Sequence, residues 1–222
     1  MPTVDQPYYR PGRLAFYDRV VLGLSNRLLW RCPTPVMLQR YDRMLRARHL
    51  EIGPGSGYYL DHARFPVENP TLVLADLNPS PLEFAAARVA RLRPRTHGVD
   101  VLADSLGLDE VFDSVGLNYV LHCLPGGEEP KRTVFGNIRE VLAPGGRVFG
   151  ATVLDRGVRH TAVSRRVNAL YNRTGAFHNE GDDPAMLAAA LDSVFGNSTV
   201  QVRGAVALFE AVRNPEPGDV RR

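Results

Sequence analysis

Apolar positions along the chain change their spacing from one segment to the next, and the spacing predicts helices and strands in turn. From Arg13 to Trp30 the apolar residues recur at three- and four-residue intervals, which predicts an amphipathic helix. A second helix is predicted from Val36 to about Arg46. Residues 1–12, rich in proline, tyrosine and charge, form an irregular leader before both.

Short apolar runs then alternate with helical patterns, as in a parallel sheet whose crossovers are helices. Ser80 and Pro81 predict the N-cap and first position of one of these helices. Strands are predicted at about His49–Ile52, Thr71–Asp76, Val99–Ala103, within Val111–Leu121 and at Arg147–Leu154, with helices over Gly57–Ala63, Pro81–Leu92 and Glu128–Leu142 and a turn at residues 144–146.

The last part of the chain departs from this alternation. Two further helices are predicted near Val158–Tyr171 and Pro184–Phe195. Two strands follow, at Thr199–Arg203 and Val206–Val212, with only two residues between them. So short a link cannot hold a crossover helix, so the pair should be an antiparallel hairpin.

Composition narrows the range of functions. With 222 residues, 44% of them hydrophobic, the chain has enough core for one substantial α/β domain. The net charge is +3, but the basic residues are scattered, which favours solvated helix faces over a nucleic-acid surface. Two cysteines without metal-ligand spacing fit a reducing compartment, and no metal site is predicted. No secretory segment and no membrane span is apparent, so a cytoplasmic protein is expected.

A glycine-rich loop carries the chemistry. Glu51 lies two residues before Gly53, which is followed by Gly55 and Gly57. Glycine lets a ligand approach the main chain closely, and a loop between a strand and a helix offers its amides to a nucleoside-bearing cofactor. The dinucleotide fingerprint would require a third glycine at position 58, where this chain has Tyr58.

The pattern E-x-G-x-G-x-G resembles the first motif of class I S-adenosylmethionine (SAM)-dependent methyltransferases. The likeness runs from about residue 47 to 154 and includes the segments 112–115, 118–125 and 141–148. It is closest to the small-molecule, quinone-methyltransferase-like type. Gly116, inside the fourth predicted strand, departs from good strand propensity, and Pro54 removes one amide from the loop.

The resemblance implies a Rossmann-like α/β fold, with a mostly parallel seven-stranded sheet that ends in an antiparallel hairpin and helices on both faces. Residues 1–46 would be a leader and helical lid, residues 47–214 the SAM-binding domain, and residues 215–222 a polar tail. Asp76, at the end of the second strand, can accept hydrogen bonds from ribose hydroxyls, although an N-cap or turn role is the simpler alternative. The cofactor-binding residues expected are Glu51, Gly53, Pro54, Gly55, Gly57, Asp76, Leu77, Asn78, Asp104, Ser105 and Asn118.

Three residues are candidates for the reaction itself. His122 follows the fourth strand and is the first candidate base, since histidine titrates near neutral pH, although it could instead only shape the pocket. The resemblance implies that an N-terminal segment closes over the cofactor, which makes Tyr17, on the first predicted helix, a candidate; packing of the leader on the core is the alternative. His178, in the region after the fifth strand, is a weaker candidate, and a surface-loop histidine is the alternative.

The expected function is transfer of a methyl group from SAM to a small organic acceptor in secondary or quinone-like metabolism, by in-line displacement. A protein of this fold that binds SAM but catalyses another reaction, such as a pericyclase or isomerase, or that only binds, is the alternative. A nicotinamide-dependent oxidoreductase is a third reading that lacks the expected third glycine. The acceptor atom and the oligomeric state are left open.

Overall fold

Near-continuous apolar runs form the central strands, because strands covered on both faces need apolar side chains on both. The structure, a computed structural model, describes residues 25–215. Its seven strands are β1 Arg48–Ile52, β2 Thr71–Asp76, β3 Arg95–Gly98, β4 Phe112–Asn118, β5 Leu142–Val153, β6 Ser198–Arg203 and β7 Val206–Val212.

The strands form one sheet in the order β3-β2-β1-β4-β5-β7-β6. Neighbours from β3 to β5 are parallel, whereas β7 runs antiparallel to both β5 and β6. The strand order reverses between β1 and β4, so a crevice opens outside their carboxyl ends, where sheets of this kind bind ligands. The predicted fold class, including the terminal hairpin, is confirmed.

Six α-helices of the described region lie on the two faces of the sheet. One hydrophobic cluster lies between the sheet and α4 and α6, and a second lies between the sheet and α1, α2 and α3. The helices are α1 Thr34–Met44, α2 Tyr58–His62, α3 Pro79–Arg88, α4 Glu128–Val141, α5 Ala162–Arg173 and α6 Pro184–Phe195, with short 3-10 turns at Ala90–Leu92 and Leu121–Cys123.

Local chemistry fixes several helix ends. Asp183 caps α6 by accepting a hydrogen bond from the amide of Met186, and Pro184 occupies the first helical position. Thr161 caps α5 in the same way through the amide of Ser164. Helix α3 begins at Pro79 after Asn78, so the prediction of Ser80 as N-cap was wrong. Pro79 has the preset φ of a first position, and Pro81 still lies in the first turn, where no amide donor is needed.

The predicted strand Val99–Ala103 was also wrong. The third strand is the polar edge strand Arg95–Gly98, which pairs with β2, and the chain turns immediately after it. Val99 and Val101 are buried because they fold back onto the core from this turn. The alternation of apolar and polar residues there therefore reflects a turn against the core.

Tyr17 lies outside the described residues, and so does most of the predicted helix Arg13–Trp30. Within the part of that helix that is described, residues 25–29 form a π-helical turn. The division at residues 46 and 214 stays a prediction. Within residues 25–215, no helix has both the length and the apolar character needed to cross a membrane.

Candidate functional site

A cavity of about 300 Å³ lies outside the carboxyl ends of β1, β2 and β4, at the point where the strand order reverses. The glycine loop after β1 forms one wall, and the end of β2 with the turn after β3 forms another. Residues 118–120 and 123–124, at the end of β4 and after it, form a third wall. The cavity therefore lies where the topology of the sheet predicts a ligand site.

The three glycines of the loop after β1 all have positive φ, and they have two different roles. A side chain on Gly53 would collide with Val120, and one on Gly57 would press against Ala85 of α3 at 3.2 Å. Gly55 has open space around it instead. Two of the glycines thus let the loop pack, and Gly55 leaves bare backbone facing the cavity.

Asp76 ends β2 with its carboxyl group at the cavity, where it is half-buried. Its Oδ1 accepts a hydrogen bond from the amide of Asn78 at 2.9 Å. Burial raises the pKa of Asp76, and the backbone donors at Asn78 and Leu77 partly oppose that rise. A carboxylate that lacks full solvation gains more from new hydrogen-bond donors, such as vicinal hydroxyls, than an exposed one does.

Glu51, by contrast, is 2% exposed, and both its carboxylate oxygens are engaged by the protein. The hydroxyl of Tyr41 donates to Oε1 at 2.6 Å, and Nε2 of His49 lies 2.9 Å from Oε2. Gly116 of β4 makes room for this carboxylate, because a side chain there would overlap Oε2. The departure from strand propensity at Gly116 therefore accommodates Glu51.

Comparison with known proteins decides the family. A family model described as a methyltransferase domain matches residues 50–148. The chain is 40% identical over 207 residues to demethylluteothin O-methyltransferase of Streptomyces thioluteus, covering 93% of this chain and 90% of that one. It is 37% identical over 207 residues to the physcion biosynthesis cluster O-methyltransferase of Aspergillus chevalieri, covering 92% and 93%.

The chain belongs to the class I SAM-dependent methyltransferases. Its activity is methyl transfer, and its cofactor is SAM.

Solved structures agree with the fold. The complex of DhpI with S-adenosylhomocysteine (SAH) superposes with a TM-score of 0.66 at 18% identity, covering 95% of both chains. The N-methyltransferase NodS of Bradyrhizobium japonicum WM9, in complex with SAH, gives a TM-score of 0.60 at 19% identity over 92% of this chain and 98% of that one.

The cavity of this methyltransferase fits the cofactor on its own geometry. It combines bare backbone at Gly55 with a half-buried carboxylate at Asp76. It also has one buried acceptor, Oδ1 of Asn118, that lacks a hydrogen-bond partner in the described part of the chain. Hydroxyl and ammonium donors of a nucleoside amino acid match these acceptors.

Eight of the eleven residues expected to bind the cofactor line the cavity, and three do not. Gly57 lies behind the loop at the start of α2. Asp104 and Ser105 are exposed and lie away from the cavity, because the strand before them ends at Gly98. Asp100, in the turn after β3, lines the cavity instead, and its Oδ1 accepts from the amide of Leu102 at 2.9 Å.

Sequence reasoning also left out residues that line the cavity from a distance along the chain. Asp100 had a usable signal, since it is an acid two residues after Gly98 and lies between Val99 and Val101. Tyr41 had none, because no local pattern connects a tyrosine on α1 with the loop after β1. The remaining lining residues that were not predicted are Ile52, Ser56, Tyr58, Tyr59, Val99, Val101, Tyr119, Val120, Cys123 and Leu124.

His122 lies on the 3-10 turn after β4 and is 4% exposed. Burial, with a smaller contribution from the charge of Lys131, lowers its pKa to about 3. Its Nδ1 accepts a hydrogen bond from the amide of Val153 at 3.4 Å and lies 3.3 Å from the hydroxyl of Thr152. His122 is therefore neutral at ordinary pH, with one nitrogen already engaged.

Aromatic rings cluster beside His122. Phe177 contacts it edge to face with ring centroids 4.3 Å apart, and Tyr171 and Trp30 lie 4.9 and 5.9 Å from Phe177. Tyr119, at the end of β4, lies 6.1 Å from His122 on the other side and has φ +60°, which is rare for a residue with a side chain. Such strain at a ligand site persists only where the surroundings enforce it.

Polar contacts hold this aromatic cluster in place. His178 is exposed, and its amide donates to the carbonyl of His122 at 2.8 Å. Lys131 and Asp182 form an ion pair at 2.7 Å in which both side chains are 2% exposed. Asn179 is fully buried and donates to the carbonyl of Val153 at 2.9 Å. The loop after α5 is thus fixed to the ends of β4 and β5.

Proposed function

We propose that this methyltransferase places the methyl group of SAM on a hydroxyl oxygen of a small, planar organic acceptor. The observation that carries the proposal is the similarity, over nine-tenths of both chains, to demethylluteothin O-methyltransferase. The similarity to the physcion biosynthesis cluster O-methyltransferase supports the same chemistry and an acceptor from secondary metabolism.

The cofactor side of the cavity is the part built from the glycine loop, Asp76 and Asp100. In this proposal the carboxylate of Asp76 accepts hydrogen bonds from the ribose hydroxyls. Asp100, with buried Val99 and Val101, flanks the adenine. The nucleoside then lies over β2 and β3, and the amino-acid end lies over β1 and β4.

The acceptor side consists of Tyr119, His122, Tyr171 and Phe177, with the loops that carry them. Four aromatic or imidazole rings in contact make a surface suited to a planar acceptor, since such rings stack on or meet each other edge to face. The acceptor side adjoins the amino-acid end of the cofactor side through Tyr119, which lines the cavity. An acceptor held there lies next to the reacting end of the donor.

When bound, SAM supplies a methyl group on a positively charged sulfur, and the acceptor oxygen takes it by in-line displacement while the bonding electron pair returns to sulfur, leaving SAH. The hydroxyl proton of the acceptor leaves to water or to a base. The protein's main contribution is to hold the two reactants in line, which supplies up to roughly 7–11 kcal/mol in favourable models.

We propose that His122 orients the acceptor through its ring and does not take up the proton. A base whose conjugate acid has a pKa near 3 is far weaker than a phenolate. His122→Ala should therefore lower turnover while SAH still binds, and the pH profile of kcat should keep its shape. Tyr17 and His178 stay candidates for contacts with bound ligands.

The test is methyl transfer from methyl-labelled SAM to a panel of small planar phenols and enols. Each acceptor is matched by its amine analogue and by its methyl ether, whose oxygen is blocked. We expect label in the hydroxyl compounds, with a new methoxy signal in the product. Label in the amines alone would contradict O-methylation, and the absence of label from every acceptor, with SAH bound, would contradict the small planar acceptor.

A pair of carboxylate variants tests the cofactor side separately. Asp76→Ala should weaken SAH binding by about a hundredfold, since it removes acceptors for two hydroxyl donors. Asp104→Ala, a change of the same residue type at an exposed position away from the cavity, should leave binding unchanged. Calorimetry measures both, and equal losses would contradict the placement of the ribose.

A further inference from the structure

One buried acceptor at the cavity has no hydrogen-bond partner within residues 25–215. Asn118 ends β4, is 7% exposed and lines the cavity. Its Nδ2 donates to the hydroxyl oxygen of Tyr41 at 2.7 Å, but its Oδ1 has no hydrogen bond to any described residue. Unpaired buried acceptors are rare because they lose their hydration without compensation. One that borders a ligand cavity points to a donor on the ligand.

The orientation of the Asn118 amide is imposed by its neighbours. The Tyr41 hydroxyl donates its single proton to Oε1 of Glu51 at 2.6 Å, so that proton is not available to Asn118. Burial, and then the charge of Glu51, raise the pKa of Tyr41 well above its usual value, so the hydroxyl keeps that proton. The Tyr41 oxygen can then only accept, which requires the NH2 group of Asn118 to face it.

A second arm fixes Glu51 from the opposite side. The amide of Arg46 donates to the hydroxyl of Ser114 at 3.0 Å, and that hydroxyl lies 2.9 Å from Nδ1 of His49. Nδ1 also lies 3.1 Å from the carbonyl oxygen of Ser114, and Nε2 lies 2.9 Å from Oε2 of Glu51, so the His49 ring bridges Ser114 and Glu51. Both arms thus end on the same carboxylate and hold it in place through buried hydrogen bonds.

The position of Asn118 identifies the ligand group. Asp76 and Asp100 mark the nucleoside end of the cavity, and Asn118 lies across it, over β4. This step rests on the proposed function. At the amino-acid end of SAM the strong donor is the ammonium group, and a carbonyl oxygen is a suitable acceptor for it.

We propose that Tyr41 is a positioning residue for the cofactor: held by Glu51, it turns the carbonyl oxygen of Asn118 toward the ammonium group of SAM. Tyr41 contributes through this orientation, from a helix that precedes the glycine loop. Without its hydroxyl, the Asn118 amide loses the contact that distinguishes its two orientations, and its NH2 group can face the cation.

The experiment compares two ligands by calorimetry. SAH has the amino-acid end, and 5′-methylthioadenosine has the same nucleoside and sulfur without it. Tyr41→Phe keeps the ring that stacks on Tyr59 and removes only the hydroxyl. We expect Tyr41→Phe to weaken SAH about tenfold and to leave methylthioadenosine unchanged. Asn118→Ala should do the same, and the double variant should lose no more than either single one, because both act through one contact.

Each other outcome contradicts the inference. Equal weakening of the two ligands by Tyr41→Phe would mean that the hydroxyl only maintains the cavity. Unchanged SAH binding would mean that the amide needs no such orientation, and additive losses would mean that Tyr41 and Asn118 act separately. If Tyr41→Phe does not fold, Asn118→Ala still decides whether the carbonyl is used. A wild-type protein that binds neither ligand would instead overturn the proposed function, and the inference with it.

Discussion

The cofactor side and the acceptor side of this methyltransferase are held together in different ways. The cofactor side depends on missing side chains, with Gly53, Gly57 and Gly116 each leaving room for a neighbour. The acceptor side depends on polar pairs between distant segments, among them Lys131 with Asp182. A surface of bare backbone cannot be varied without losing the cofactor. Loops held by replaceable pairs can change their acceptor while the donor site stays the same.

The largest loss of stability is expected when the buried ion pair between Lys131 and Asp182 is disrupted. Lys131→Met leaves Asp182 buried and unpaired and should lower the free energy of unfolding by about 3–5 kcal/mol. The neighbouring Arg132→Met breaks an exposed pair with Glu129 and should leave unfolding unchanged within error. Urea unfolding measures both. Folded Lys131→Met protein should still bind SAH normally, and a large loss of SAH affinity would show that the two sides are coupled.

The complementary change adds a side chain on the cofactor side. Gly116→Ala pushes a methyl group into Oε2 of Glu51 and should cost about 3 kcal/mol of stability, with weaker SAH binding. Gly136→Ala, on α4 with open space around the position, should be neutral or slightly stabilising. Thermal unfolding and calorimetry provide the measurements. Normal SAH affinity in Gly116→Ala would show that the hydrogen bonds of Glu51 do not contribute to cofactor binding.

Acid should weaken the acceptor side first through His122. Its pKa is lowered to about 3 in the folded protein, so at mildly acidic pH the unfolded chain binds a proton that the folded one does not. This contribution to stability is complete above about pH 6.5 and is lost as the pH falls toward 3. Between about pH 7 and pH 5 it should cost about 2 kcal/mol. His122→Asn should flatten that part of the stability profile in urea titrations, and an unaltered profile would contradict the burial effect.

The smallest expected effect marks the boundary of the cofactor side. Asp100→Asn keeps the side-chain oxygen that accepts from Leu102 but removes the charge beside the proposed adenine site. It should weaken SAH about threefold to tenfold, or roughly 1 kcal/mol. Asp104→Asn serves as the matched control and should bind normally. If Asp104→Asn weakened SAH binding more than Asp100→Asn did, the adenine contact would belong to Asp104.

The same division explains what the sequence could and could not predict. Gly53, Gly55 and Asp76 lie within one strand–loop–helix unit and the strand after it, so spacing alone brought them together. The third strand was misplaced because Arg95–Gly98 is a polar edge strand, while Val99 and Val101 look like a strand but are buried in a turn. Because of that error Asp104, which does not line the cavity, was predicted, and Asp100, which does, was left out.

Other features depend on contacts that no local pattern encodes. Tyr41 reaches Glu51 because α1 packs against the sheet. His122 has its lowered pKa because it is buried, with Phe177 packed edge to face against it, and because Lys131 is nearby. Strand propensity alone disfavours Gly116, and the reason for a glycine there appears only from its contact with the carboxylate of Glu51. Tertiary contacts, rather than propensity, decide these positions.

The contacts between α1 and the last described strand have a consequence for how the protein folds during its synthesis. Arg40, next to Tyr41, donates to the carbonyl of Phe209 at 2.7 Å across 169 residues, and it also pairs with Glu210 of β7. A nascent chain contains the glycine loop early, but the contacts of Arg40 with β7 form only after β7 has left the ribosome. We therefore expect the cofactor cavity to be finished last during synthesis, so that a truncated translation product does not sequester SAM.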